Sequence, residues 1–165
     1  MIPQLTIRLY GDPVLRKKAA PVVSVGPGER ILIKSLLATM YEHKGVGLAA
    51  PQVGISQQIF VADSGAGPLA IINPKILKKS GSGKMEEGCL SIPGVHVNVR
   101  RPKDIIVQYT DENNQKVERS MTELLARVFL HENDHLHGKL IIDYATLAQK
   151  TLLRKKLSEI KKLSK

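Results

Sequence analysis

Tryptophan is absent from the 165 residues and aromatic side chains make up only 4% of them, so a core must be packed from aliphatic groups. There is a single cysteine, Cys89. No intramolecular disulfide can form, which removes the small stapled secreted folds and suits a reducing compartment. No stretch approaches the roughly 20 apolar residues that a membrane helix requires. The opening residues, Met1-Ile2-Pro3-Gln4-Leu5, lack the basic patch and apolar run of a secretory leader. These absences lead to the expectation of a soluble, cytoplasmic protein, with an organellar origin after loss of a transit peptide as the alternative. Disorder is also excluded, because 42% hydrophobic and 24% charged residues are ordinary globular values.

Charge is plentiful but uneven. The net charge is +10, and residues 150–165 carry seven basic side chains against one acidic one, Glu159. The excess therefore sits at the C-terminal end, where it suggests a local contact with something anionic.

Hydrophobic spacing marks the elements. Ile33, Leu36, Leu37 and Met40 recur at helical intervals after Pro27-Gly28-Glu29, and Gly45 and Gly47 end that helix near His43-Lys44. Gln58–Asp63, Leu69–Leu77 and the alternating Val95, Val97 and Val99 read as strands. Asp104–Thr110 and Lys116–Met121 form a hairpin across Asp111-Glu112-Asn113-Asn114. Lys78–Lys84, rich in glycine and serine, reads as a flexible surface loop. A second helix starts after Thr122, an N-cap, and stops at Gly138. A third spans Leu147 to Leu163 with a stripe at Leu153, Leu157, Ile160 and Leu163. The expected class is α+β, with short antiparallel sheets packed around a central metal-binding helix and a helix at the C-terminal end. Residues 1–148 are taken as one catalytic metal-binding unit, and 149–165 as a basic amphipathic helix of the same domain.

The chemistry is concentrated in His131-Glu132-Asn133-Asp134-His135 on the second helix. Residues four apart share a helix face, so both imidazoles can reach one ion, and Glu132 can reach a water beside it. A third protein donor is not obvious. In the extended zinc-peptidase motif Gly138 matches, but Ile141 stands where the last histidine belongs. His137 points to another face, and Glu159 sits among lysines. Cys89, in Glu87-Gly88-Cys89-Leu90-Ser91, is either a small packing residue or the missing donor. A thiolate with two imidazoles would leave one position open for water. Gly88 would let another backbone approach closely.

Three segments occur together: Gly45-Val46-Gly47-Leu48-Ala49-Ala50-Pro51-Gln52, the Cys89 segment, and His131 to Gly138. With them the chain resembles the peptide deformylase family, from Tyr10-Gly11-Asp12-Pro13 to the C-terminal helix. The resemblance implies removal of the N-formyl group from the formylmethionine of nascent polypeptides, with release of formate, by attack of a metal-bound hydroxide. It implies that Cys89, His131 and His135 hold one divalent ion, Fe²⁺ in the cell, with Zn²⁺, Ni²⁺ or Co²⁺ as substitutes. Glu132 would be the catalytic acid/base, and Gln52 with the backbone N–H of Leu90 would bind the formyl oxygen. One position departs from the family pattern: Leu130 stands where glutamine usually precedes the first metal histidine.

For substrate, Gly45 and Gly47 leave room for an extended peptide, with helix termination as the alternative. Gly88 is placed with Gly47 among the substrate-binding residues. Val46, Leu124 and Val128 would line a pocket for the methionine side chain, with ordinary core packing as the alternative for Leu124 and Val128. His96 falls on the polar phase of its strand, facing either solvent or the peptide. His43 reads as a surface residue, and Asp134 as a partner of Arg100 or Arg101. Expected partners are N-formylmethionyl peptides, but neither a membrane nor DNA; the basic helix is either a solvated face or a contact to the ribosome. Two other readings compete. A zinc endopeptidase would need a carboxylate or third histidine in place of Cys89, and a non-catalytic RNA-binding protein would have a closed structural metal site.

Overall fold

The computed structural model describes residues 1–165. Two antiparallel sheets and three helices make up an α+β fold, as expected. The helices are α1 (Pro27–Glu42), α2 (Glu123–Leu136) and α3 (Leu147–Leu163). The strands are β1 (Gly47–Ala49), β2 (Ile59–Ala62), β3 (Leu69–Ser80), β4 (Gly83–Cys89), β5 (Ile92–Arg101), β6 (Asp104–Thr110) and β7 (Lys116–Thr122). Five strands form one sheet in the order β1-β2-β3-β6-β7, and β4 pairs with β5 in a second.

The chain switches sheets at Gly81-Ser82, and this corrects the loop expected over Lys78–Lys84. Lys79 pairs with Ile105 on one side of the switch and Lys84 with Arg100 on the other. Pairing with distant strands thus overrides a composition that favours a loop. Only the two-residue crossing, with Gly81 at φ +69°, stays outside the ladders.

The central helix packs its apolar side on the five-stranded sheet. Phe129 meets Phe60 edge to face, with ring centroids 5.2 Å apart, and both rings are buried. Burial of each ring contributes about 1.5–3 kcal/mol. Leu130 joins the same cluster. The opposite side of α2 meets the β4–β5 ribbon through polar contacts, Arg127 and His131 with Glu87 and Asp134 with Arg101.

Both ends of α2 are fixed by backbone geometry. Thr122 occupies the N-cap position but makes no side-chain capping bond. Instead, Glu123 takes φ +51° and its N–H donates to the Lys103 carbonyl. At the other end Gly138 has φ +72°, and a Cβ there would lie 2.5 Å from the Arg16 carbonyl oxygen. Only glycine satisfies both conditions.

Helix α3 spans the expected residues, but its stripe is shorter than expected. Leu157 and Ile160 are buried in a third cluster with β5, and Leu153 packs partly against it. Leu163, the helix's last residue, is exposed.

Candidate active site

Helix α2 supplies His131, Glu132 and His135, and the end of β4 supplies Cys89. Cys89 Sγ lies 3.4 Å from His135 Nε2. One donor atom from each of Cys89, His131 and His135 falls within 4.8 Å of the others, which makes this the chain's one cluster of three such donors. The imidazoles stand edge to face, 5.1 Å between centroids.

The donors suit a divalent ion on their own chemistry. His131 Nδ1 is 2.9 Å from Glu87 Oε1, so its proton is placed there and the lone pair of Nε2 is left facing the cluster. His135 Nδ1 is buried without a hydrogen-bond partner. One sulfur and two nitrogens match a three-donor site with an open fourth position. Without an ion the two rings shift in opposite directions: burial works against a charge on His131, but Cys89 and Glu87 outweigh it and raise its pKa. Burial together with the charge on His131 holds His135 well below the ordinary histidine range.

Glu132 is 4% exposed, and its Oε2 has no partner. Burial pushes its pKa up to about 7, against the pull of His131 and Arg101. Oε1 lies 4.0 Å from His131 Nε2. Gly47 makes this placement possible: a Cβ there would sit 2.6 Å from Glu132 Oε1.

Gln52 is buried, not the surface residue its polarity alone would suggest. Its Oε1 accepts from the Ala49 N–H at 2.9 Å. Its Nε2 lies 3.2 Å from Ser91 Oγ and 3.5 Å from Cys89 Sγ, so the amide is oriented beside the sulfur. Leu90 follows Cys89 in the turn into β5.

These groups open into a cavity of about 550 Å³. Of the residues singled out from the sequence, Val46, Gly47, Gln52, Gly88 and Cys89 line it, as do Leu90, His96, Leu124, Val128, His131 and Glu132. His135 lies behind them, nearly fully buried. Val128 forms a buried wall, while Val46 and Leu124 are exposed at the mouth. His96 is exposed, and its ring, not a neighbouring backbone, is what a Cβ at Gly88 would meet, at 3.3 Å. His43 also lines the cavity, while its Nδ1 lies 2.9 Å from the Thr39 carbonyl oxygen. His137 and Glu159 stay outside the site. Asp134 pairs with Arg101, whereas Arg100 binds Ser82.

The residue that sequence reasoning missed is Glu87. It accepts from Arg101 at 2.7 and 2.9 Å, from Arg127 at 2.6 Å and from His131 at 2.9 Å. Burial works against its ionisation, but these donors prevail and hold its pKa at about 2. A signal for the network was present in the chain. Arg101 continues the inward phase of Val95, Val97 and Val99, and an inward arginine on a strand requires a buried acid.

An H-E-x-x-H helix set against a cysteine, inside an α+β fold, defines a protein with a candidate metal centre of two imidazoles and a thiol. The model for polypeptide deformylase matches residues 4–151. A peptide deformylase of Thermotoga maritima is 50% identical over 155 residues, covering 93% of this chain and 94% of the relative. The crystal structure of peptide deformylase from Thermus thermophilus superposes with a TM-score of 0.92 at 41% identity, over 96% of this chain and 98% of that one. A Synechococcus elongatus peptide deformylase in complex with actinonin gives 0.88 at 43% identity, over 93% and 88%. The chain belongs to the polypeptide deformylase family, enzymes that hydrolyse a formyl amide.

Proposed function

We propose that this chain removes the N-formyl group from the formylmethionine of nascent polypeptides, releasing formate and a free amine. The observation that carries the reading is the convergence of Glu132, Gln52 and the Cys89–His131–His135 donors on one cavity. A divalent ion held by those donors supplies Lewis acidity, which brings the pKa of a water molecule towards neutrality. The soft sulfur and two imidazoles suit Fe²⁺ in the cell, with Zn²⁺, Ni²⁺ or Co²⁺ as substitutes.

The chain's own groups do the rest. Glu132 takes a proton from the attacking water and can return it, because its Oε2 has no partner and the residue lines the cavity. As the water oxygen bonds to the formyl carbon, charge develops on the formyl oxygen. The Gln52 amide and the Leu90 N–H donate to that oxygen, and donors fixed beforehand cost no reorganisation. Glu132 then hands its proton to the amine nitrogen as the C–N bond breaks. Val46, Leu124 and Val128 hold the methionine side chain, and the peptide runs past Gly47, Gly88 and His96. Leu130 lies in the hydrophobic cluster, while His131 is oriented by Glu87. The leucine in place of glutamine is therefore compatible with activity.

In this reading residues 1–148 carry catalysis in the cytoplasm. No helix is long and apolar enough to cross a membrane. The exposed face of α3, which carries Leu152, Arg154, Lys155 and Lys162 with one acid, Glu159, docks on ribosomal RNA near emerging chains. Truncation after Ala148 should reduce ribosome co-sedimentation at low salt; unchanged co-sedimentation contradicts the docking.

The activity is tested by formate release from formyl-Met-Ala, using iron, zinc and nickel forms prepared without oxygen. Release by at least one form, with casein left intact, is expected. No release by any form overturns the proposal.

A further inference from the structure

Behind His131, a line of buried and half-buried polar groups leads away from the cavity. Arg101 is only 4% exposed and divides its guanidinium between two acids. Nε and Nη2 donate to Glu87, and Nη1 donates to Asp134 Oδ2 at 3.0 Å. The Tyr144 hydroxyl closes this far end. It donates to the same Asp134 oxygen at 2.6 Å and accepts from Arg101 Nη1 at 3.3 Å. Tyr144 lies in the short turn Ile141–Tyr144 beyond α2, and its ring is flanked by Lys139 Nζ at 4.3 Å and Arg101 Cζ at 5.0 Å.

We infer that Tyr144 is a positioning residue for the metal centre, acting through Asp134, Arg101 and Glu87 to fix the ring of His131. A bidentate Arg–carboxylate pair orients its acid only while the guanidinium plane is itself held. Glu87 holds one side of that plane; Asp134 holds the other, and Asp134 is one-fifth exposed, open to competing water. The Tyr144 hydroxyl ties that oxygen in place. Without it Asp134 turns to solvent and Arg101 rotates about its Nε. Arg127 still holds Glu87 Oε2, but Oε1, the acceptor for His131 Nδ1–H, loses the Arg101 Nη2 bond that orients it. Burial and the Asp134 bond both raise the Tyr144 pKa, so the hydroxyl remains a donor. The turn that leads into α3 is thereby coupled to the catalytic helix.

The inference rests on the metal reading of Cys89, His131 and His135, and its test separates the two. The full chain is loaded with Co²⁺, and transfer of the ion to a chelator is timed for the parent, Tyr144→Phe and Tyr41→Phe. Tyr41 is the matched control: its hydroxyl makes an equally short bond, 2.6 Å to Asp63, on the surface of α1. Tyr144→Phe should release cobalt roughly three- to tenfold faster, a smaller effect than removing a direct partner of a ligand. It should also shift the cobalt absorption and lower kcat with KM within about twofold, the pattern of a misaligned centre and not of weaker substrate binding. Tyr41→Phe should match the parent. If Tyr144→Phe does not fold, Asp134→Asn must show the same acceleration. Parent-like release and spectrum, or equal acceleration by Tyr41→Phe, overturns the inference. A parent that binds cobalt but frees no formate refutes the proposed function alone, and one that takes up no cobalt refutes both.

Discussion

Two glutamates flank His131, and the protein treats them in opposite ways. Glu87 has its charge met by two guanidinium groups and an imidazole, and it stays ionised to a pKa of about 2. Glu132 is as deeply buried, but one of its oxygens has no partner, and its pKa rises to about 7. Burial alone disfavours both charges. The difference lies in the donors each finds, and it separates a carboxylate that holds position from one that can move a proton. Both acids line the cavity, but only Glu132 has an oxygen left without a partner there.

Glu132→Gln tests the contrast with the largest effect. Formate release should fall roughly a thousandfold, the scale of general acid–base catalysis, while metal content measured by atomic absorption stays at the parent level. Loss of the metal would make Glu132 a carboxylate that holds position. Glu87→Gln should do the reverse, weakening metal affinity about 10–100-fold in a competition titration, with activity recovering at excess metal. Gly47→Ala presses a methyl group into Glu132 Oε1, 2.6 Å away. It should lower kcat about tenfold and leave metal affinity unchanged, because only the unpaired carboxylate is displaced.

The smallest effect is on stability. Between pH 4.5 and about 7 an unfolded chain ionises Glu132 while the folded metal-free chain keeps it protonated, so this group makes stability fall as pH rises. Glu87 has the opposite sign: its contribution is complete above pH 4.5 and is lost as pH falls towards about 2. Urea denaturation of the metal-free chain should therefore show Glu132→Gln more stable than the parent near pH 7, with the gain vanishing below pH 4.5. No gain at pH 7 would mean that Glu132 is not held neutral.

Much of this arrangement was legible along the chain. The i,i+4 histidines had to share a face of α2, and the period-two valines of β5 had to point inward. Gly138 had to end the helix. What stayed hidden depended on strand pairing. The Lys78–Lys84 segment is loop-like in composition and becomes strand because β6 and β5 lie beside it. Gln52 is polar and buried only because a backbone N–H and a hydroxyl meet it there. Glu87, Arg101, Asp134 and Tyr144 lie on separate elements, so no spacing rule joins them. The inward phase of Arg101 marked one member of the network, but only the fold identifies the others.

The opposed charge states can be observed directly in the metal-free chain. Infrared difference spectra at about pH 5.5 compare the parent with Glu132→Gln and Glu87→Gln, where an ordinary glutamate is mostly ionised. One protonated-carboxyl band should be present in the parent, absent in Glu132→Gln and retained in Glu87→Gln. A parent without that band, or a band that disappears only with Glu87, would contradict the division of roles between the two acids.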